Sequence, residues 1–308
     1  MTMMRVLDAS LRLYRKTLKR IRPAHIAMHR LMRGVVLPGL ERATGTQTIA
    51  DDPFWFRLEL LTGQHERETR RLLERLAAPG MVALDVGAHI GYHSRLLARL
   101  AGAEGRVIAF EPHPRSFEAL RHNTRDFANV TALQLAASES AGSADLHDYL
   151  MMSASGSLHY DASLAEEQRA RMGAGDVAPR GGSDFEPQRY PVRTVAIDDC
   201  LAELGIARVD LVKMDIEGAE LAALRGMRRT IAESPRLALV MEYNPGALAA
   251  FGHEPVAALD EARALGFARV EAIGADGSLT DWGDAALVER ETARLLAGLG
   301  VVNLLLRK

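Results

Sequence analysis

The run Val82-Ala83-Leu84-Asp85-Val86-Gly87-Ala88-His89-Ile90-Gly91 constrains this chain more than any other stretch. Met81 to Leu84 is a short apolar run and reads as a buried parallel strand. Gly87 and Gly91 open a tight turn, and Tyr92 to Leu100 reads as a helix with Leu96, Leu97 and Leu100 on one face. Strand, glycine turn and helix in that order is how an open α/β sheet receives a nucleotide-like ligand. Glycine lets the backbone come close, and the helix N-terminus presents free N–H groups.

The unit then repeats. Arg106-Val107-Ile108-Ala109-Phe110 is a second apolar strand, and it ends in Glu111, which follows Gly87 by 24 positions. That spacing suits a carboxylate at the tip of the second strand, accepting hydrogen bonds from ribose hydroxyls. The turn is G-x-x-x-G, whereas a dinucleotide pyrophosphate sits on G-x-G-x-x-G. With Asp85 ahead of the turn, the site suits a nucleoside carrying an amino acid, and S-adenosylmethionine is the candidate. The set read as binding it is Asp85, Gly87, Ala88, His89, Gly91, Glu111 and Pro112, joined by Asp215 from a later strand.

DVGAHIGYHS, IAFEPHP, VDLVKMDIEGAE and VMEYNP follow one another along the chain. Together they resemble the signature blocks of FkbM-type S-adenosylmethionine-dependent methyltransferases. The resemblance covers roughly Met81 to Glu242 and weakens towards the C-terminus. It departs from the family at His89, where asparagine is usual. It implies a class I methyltransferase-like (Rossmann-like) doubly wound sheet of seven strands, the last antiparallel. The pattern itself supplies the alternation of strands and helices but not their order. The strand candidates are Val130 to Leu135, Val209 to Met214, Leu237 to Met241, Phe267 to Ile273 and Val301 to Leu306. Glu217 to Ile231 reads as one helix, with Leu221, Leu224, Met227 and Ile231 buried.

Ahead of that domain, which the reading places at 79–308, residues 1–78 form a helical extension. Its first 42 residues carry ten Arg or Lys against Asp8 and Glu41. Leu7, Leu11, Tyr14, Leu18 and Ile21 fall on one helical face, which Pro23 ends. Such a helix packs on the domain with its basic side in water, or it touches anionic lipid or a protein partner. Pro53 to Ala78 reads as one or two helices, with His65 and Glu66 exposed. A long segment, 151–189, rich in Ser, Gly and charge, is a candidate lid or flexible insertion, with a short helix at Leu164 to Met172. Ala144 to Tyr149 and Tyr190 to Val195 flank it as possible strands.

Composition removes several classes. The net charge of −2, with its basic excess confined to the N-terminal stretch and no aromatic-rich patch, argues against nucleic acid as partner. A single cysteine, Cys200, leaves no internal disulfide and no multi-cysteine metal site. No apolar run is long enough to span a membrane, and basic residues interrupt any signal-peptide core, so the expected address is the cytoplasm.

Ligands of such sheets lie beyond the carboxyl ends of the strands. Asp215, Glu217 and His89 are the candidate catalytic groups there, Asp215 foremost as the base or orienting group for an acceptor hydroxyl. Asp215 also suits the cap of the following helix. His93 and His253 lie nearby in the sequence. Asp215, Glu242 and Asn244 are oxygen ligands of the kind Mg²⁺ takes, yet no metal set is assigned. The expected activity is O-methylation of a small molecule, sugar or polyketide-type metabolite. The alternatives are a nicotinamide-dependent oxidoreductase, or a membrane-associated binding protein on a methyltransferase fold.

Overall fold

A computed structural model of the chain describes residues 30–149, 153–154, 156–160, 166, 187–298 and 300–308. The basic helix expected before Pro23, the helix at 164–172 and most of the 151–189 segment lie outside the described residues. The chain divides into two compact units, one running to Arg67 and the other from Glu68 to Lys308.

In the first unit a π-helical turn, Met32–Val36, runs into α1 (Leu37–Thr44), and α2 spans Phe54–Thr62. Leu37, Phe54, Leu58 and Leu61 form its apolar core. Arg57 is buried beside it with its charge matched: its Nη2 lies 3.0 Å from Glu41 Oε1, and its Nε donates to Thr48 Oγ1 at 2.7 Å. Burial alone would raise the Glu41 carboxyl, but the hydroxyl and N–H of Thr48, both donating to Oε1, and the Arg57 cation hold it below its usual range. His65 and Glu66, expected to be exposed, are instead half-buried and paired at 3.3 Å, with Phe56 edge-on to the histidine ring.

The boundary falls at the first residue of α3 (Arg67–Leu76), and in the second unit its Leu72 and Leu73 pack with Ala83, Leu97 and Val107. The first strand and helix follow as β1 (Val82–Val86) and α4 (Tyr92–Ala101), then β2 (Arg106–Phe110) and α5 (Pro114–Thr124). β3 (Val130–Leu133) and β4 (Ala136–Ser138) are short, and β5 covers Gly142–Asp148. β6 (Gly156–Ser157) and β7 (Gln188–Ala196) precede α6 (Ile197–Glu203). The rest runs β8 (Leu211–Met214), α7 (Glu220–Arg225), α8 (Arg228–Glu233), β9 (Ala238–Tyr243), α9 (Pro245–Ala250) and α10 (Pro255–Ala264). It ends with β10 (Arg269–Ile273), β11 (Leu279–Asp281), α11 (Ala285–Gly298) and β12 (Val302–Arg307).

Among the described residues the main sheet has eight strands in the order β11-β10-β12-β9-β8-β1-β2-β3. β1 pairs in parallel with β2 and β8, and β12 inserts antiparallel between β9 and β10. The expected seven-stranded doubly wound sheet with its antiparallel last strand is therefore present. The eighth strand, β11, folds back on β10 through a tight turn at Gly274–Ser278. β1, β2, β8 and β9 read as apolar runs because helices cover both faces of a parallel sheet.

The two strands expected around residues 144–149 and 190–195 do not join that sheet. β5 and β7 pair with each other antiparallel, from Gly142 opposite Thr194 to Asp148 opposite Gln188, and β4 and β6 complete a separate four-stranded sheet.

The helix expected over Glu217–Ile231 is also different: it starts at Glu220 and is broken in two. Glu217 (φ +53°) and Gly218 (φ +101°) lie in the left-handed region, so no helix can begin there. Gly226 at the break packs closely on β4, where a Cβ would come 2.0 Å from the Ser138 carbonyl oxygen. The second half is capped from outside, by Asp198, whose carboxylate accepts from the N–H groups of Arg229 and Thr230, both at 2.8 Å.

Candidate cofactor and active site

The carboxyl ends of β1, β2, β8 and β9 meet at one edge of the main sheet. The turn after β1 is tied to β2, because the N–H groups of Gly87 and Ala88 both donate to the Phe110 carbonyl, at 3.0 and 2.9 Å. Gly87 has φ +80°, and a Cβ there would lie 1.9 Å from the Asp215 carbonyl oxygen. Only glycine allows the two strand ends to approach this closely, and the tight turn so formed is the cradle at this edge. Asp85 is fully buried beneath it and accepts a 2.5 Å hydrogen bond from Ser94 Oγ.

Glu111 is gripped at both oxygens. The His89 N–H donates to Oε2 at 2.7 Å and the His113 N–H to Oε1 at 2.8 Å. These bonds fix the carboxylate plane and leave each oxygen a further lone pair for a hydroxyl. Burial pushes the Glu111 carboxyl up to about 7, against the pull of the two N–H groups. A vicinal diol such as a ribose edge fits this acceptor pair, and the glycine cradle beside it fits the approach of a ligand backbone. Pro112 lies between Glu111 and His113 and so helps fix the geometry of the grip.

His89 itself has φ +50°, a conformation that asparagine and histidine tolerate better than most residues. Its Nε2 lies 2.6 Å from Ser153 Oγ. His93 is turned away into α4, buried with Tyr92 edge-on to its ring. His253 neighbours the Glu261 carboxylate on α10.

Asp215, Glu217 and Glu242 are brought together: an oxygen of each lies within 4.8 Å of the others, and all three are partly buried. Burial, then the charges of Asp215 and Glu220, push Glu217 up to about 8. A proton on Glu217 near neutrality is one relief of the repulsion. The other is Lys213, which is buried, with Nζ 3.2 Å from Asp215 Oδ2 and 3.5 Å from the Gly87 carbonyl oxygen. The three acids thus share one resident cation, Lys213. Asn244 is occupied in capping α9, where its Oδ1 accepts from Ala247 N–H at 3.0 Å. Asp215 does not cap a helix: the Ile216 N–H turns to Glu220 Oε1 at 3.0 Å, and α7 begins only at Glu220.

The sequence reading missed Lys213, Glu220 and Asp148. A lysine inside the apolar run of β8, two residues before Asp215 and so on the same face, was the signal available. Nothing local marked the others.

Residues 85–268, more than half of the chain, match the family model described as Methyltransferase FkbM domain. Methyltransferase sdnD of Sordaria araneosa is 28% identical over 54% of this chain and 67% of its own length. The 31-O-demethyl-FK506 methyltransferase FkbM of Streptomyces tacrolimicus is 34% identical over 53% of this chain and 65% of its own. The 2-O-methyltransferase NoeI of Sinorhizobium fredii is 27% identical over 54% and 65%. The match thus spans about two thirds of the length of each of these relatives.

Proposed function

The chain belongs to the FkbM methyltransferase family, and from that premise we propose that it is an S-adenosylmethionine-dependent O-methyltransferase acting on a hydroxyl of a small molecule. The observation that carries the reading is the pairing of the Gly87 cradle with a Glu111 carboxylate held at both oxygens. The relatives described as a 2-O-methyltransferase and a 31-O-demethyl-FK506 methyltransferase favour a hydroxyl as acceptor. A nicotinamide-dependent oxidoreductase is not favoured, because the G-x-x-x-G turn lacks the pyrophosphate spacing.

S-adenosylmethionine, when bound, supplies a methyl group already activated on a sulfonium, so the protein's work is to position and to move a proton. Glu111 accepts the ribose hydroxyls, and the Gly87-Ala88-His89 turn and Gly91 line the approach of the amino-acid end. Asp215 stands at the tip of β8 with its carboxylate steadied by Lys213, where it holds the acceptor hydroxyl and receives its proton at an oxygen. Glu217 and Glu242 shape the acceptor side, and the Glu217 proton keeps the three acids from repelling one another.

The experiment is incubation of the full chain with methyl-labelled S-adenosylmethionine and a metabolite extract, followed by mass spectrometry of every compound that gains label. Label on a hydroxyl oxygen supports the reading. Label on nitrogen or carbon, or tight S-adenosylhomocysteine binding with no labelled compound, overturns the O-methyl assignment.

A further inference from the structure

His113 has no part in the chemistry described so far, yet it is one of the most enclosed polar residues of the molecule, with 4% of its surface exposed. It stands between Pro112 and Pro114 as the residue preceding α5, in an extended conformation (φ −69°, ψ 123°) that the following proline enforces. Three contacts radiate from it. Its N–H holds Glu111 Oε1 at 2.8 Å. Its Nδ1 accepts from the Ser116 N–H at 3.4 Å, a role at this position usually taken by serine or aspartate. Its Nε2 lies 3.3 Å from Asp148 Oδ2, on the last residue of β5 in the second sheet, close but not aligned as a hydrogen bond, and Asp148 is 2% exposed.

These contacts fix the ring. With Nδ1 accepting, the neutral imidazole carries its hydrogen on Nε2, the nitrogen that faces the Asp148 carboxylate. The Tyr190 ring, from β7, closes edge-on at 4.7 Å. The imidazole is therefore packed against Asp148 and Tyr190 of the second sheet, while the main-chain N–H of His113 holds Glu111. The other oxygen of Glu111 is held by His89, whose ring also reaches across, to Ser153.

We infer that His113 is a positioning residue for the cofactor, acting through Glu111, and that Asp148 anchors it, so that the second sheet forms part of the cofactor site. The inference rests on Glu111 as the acceptor of the ribose hydroxyls.

Calorimetry on the full chain tests it, with S-adenosylhomocysteine and with its analogue lacking both ribose hydroxyls. The wild type is expected to bind the first more tightly. His113→Asn and Asp148→Asn are each expected to weaken S-adenosylhomocysteine by about three- to tenfold, with the analogue unchanged. The double variant Glu111→Gln/His113→Asn should bind no more weakly than Glu111→Gln alone. Equal losses for both ligands, no loss for either, or additive effects in the double variant overturn the inference. Asp148→Asn, which leaves the 112–114 backbone untouched, carries the test if His113→Asn does not fold. Failure of the underlying ribose reading looks different: the wild type would then bind both ligands equally well.

Discussion

Lys213 and Asp215 form an ion pair of 3.2 Å in which the lysine side chain is 6% exposed and the aspartate 22%. The cation is enclosed and its partner faces the open edge of the sheet. Asp215→Asn leaves the enclosed cation unmatched and Lys213→Met leaves the three acids without their cation, so each is expected to cost about 1–3 kcal/mol. The double variant should cost less than the sum, which a denaturant-melt cycle reads directly.

Asp215→Asn has a second expected effect. Once a methyl acceptor is in hand, turnover should fall roughly 10²–10⁴-fold, as for loss of a general base, with S-adenosylhomocysteine affinity nearly unchanged. Turnover close to wild type, per folded molecule, would move the role to Glu217 or Glu242.

Glu111 ties cofactor binding to pH. With its carboxyl pushed up to about 7, it is ionised, and so a full acceptor for two hydroxyls, only above neutrality. Affinity for S-adenosylhomocysteine is expected to drop as pH falls below 7, by up to about tenfold per unit. In Glu111→Gln, which cannot titrate, the profile should flatten. Isothermal titrations at stepped pH decide this.

Glu220 predicts the reverse sign for stability. Burial raises its carboxyl to about 7, so the native state keeps a proton that the unfolded chain releases near 4.5. Stability is then lost as pH rises between those values, and the penalty is complete above them. Its Oε2 is buried without a hydrogen-bond partner among the described residues. Glu220→Gln is expected to stabilise the protein near pH 8, by on the order of 1–3 kcal/mol, and to gain little near pH 5. Melting temperatures of both proteins across that range give the answer as a difference, from which the other titrating acids cancel.

Two glycines with similar backbones should differ sharply. A Cβ on Gly87 would meet the Asp215 carbonyl at 1.9 Å, whereas one on Gly102, also at positive φ, meets nothing within 4 Å. Gly102 has φ +67° and ψ −172°, a region nearly confined to glycine, so Gly102→Ala is expected to cost about 1–3 kcal/mol, the strain of the backbone alone. Gly87→Ala should exceed about 4 kcal/mol or fail to fold, and solubility with denaturant midpoints separates them.

The sheet was legible because β1, β2, β8 and β9 are buried on both faces and carry continuous apolar runs. The edge of the site was legible for the same reason, since polar residues stand out where such runs stop. What escaped depends on contacts between distant residues. The need for glycine at 226 comes from Ser138, which lies far earlier in the chain and in the other sheet. β11 has three exposed residues and gives no periodic signal. Asp215 reads as a helix cap by sequence, and only the left-handed residues at 217 and 218 remove that role. His113 and Asp148 are joined by tertiary structure alone.

The ladder between β5 and β7 brings Asp148 opposite Gln188, so the chain between them leaves and returns within one strand spacing. Its closure is already secured by seven paired positions, from Gly142–Thr194 to Asp148–Gln188. Ser153, within the chain so closed, meets the His89 ring, so the ladder fixes both ends of the segment that reaches the cofactor turn.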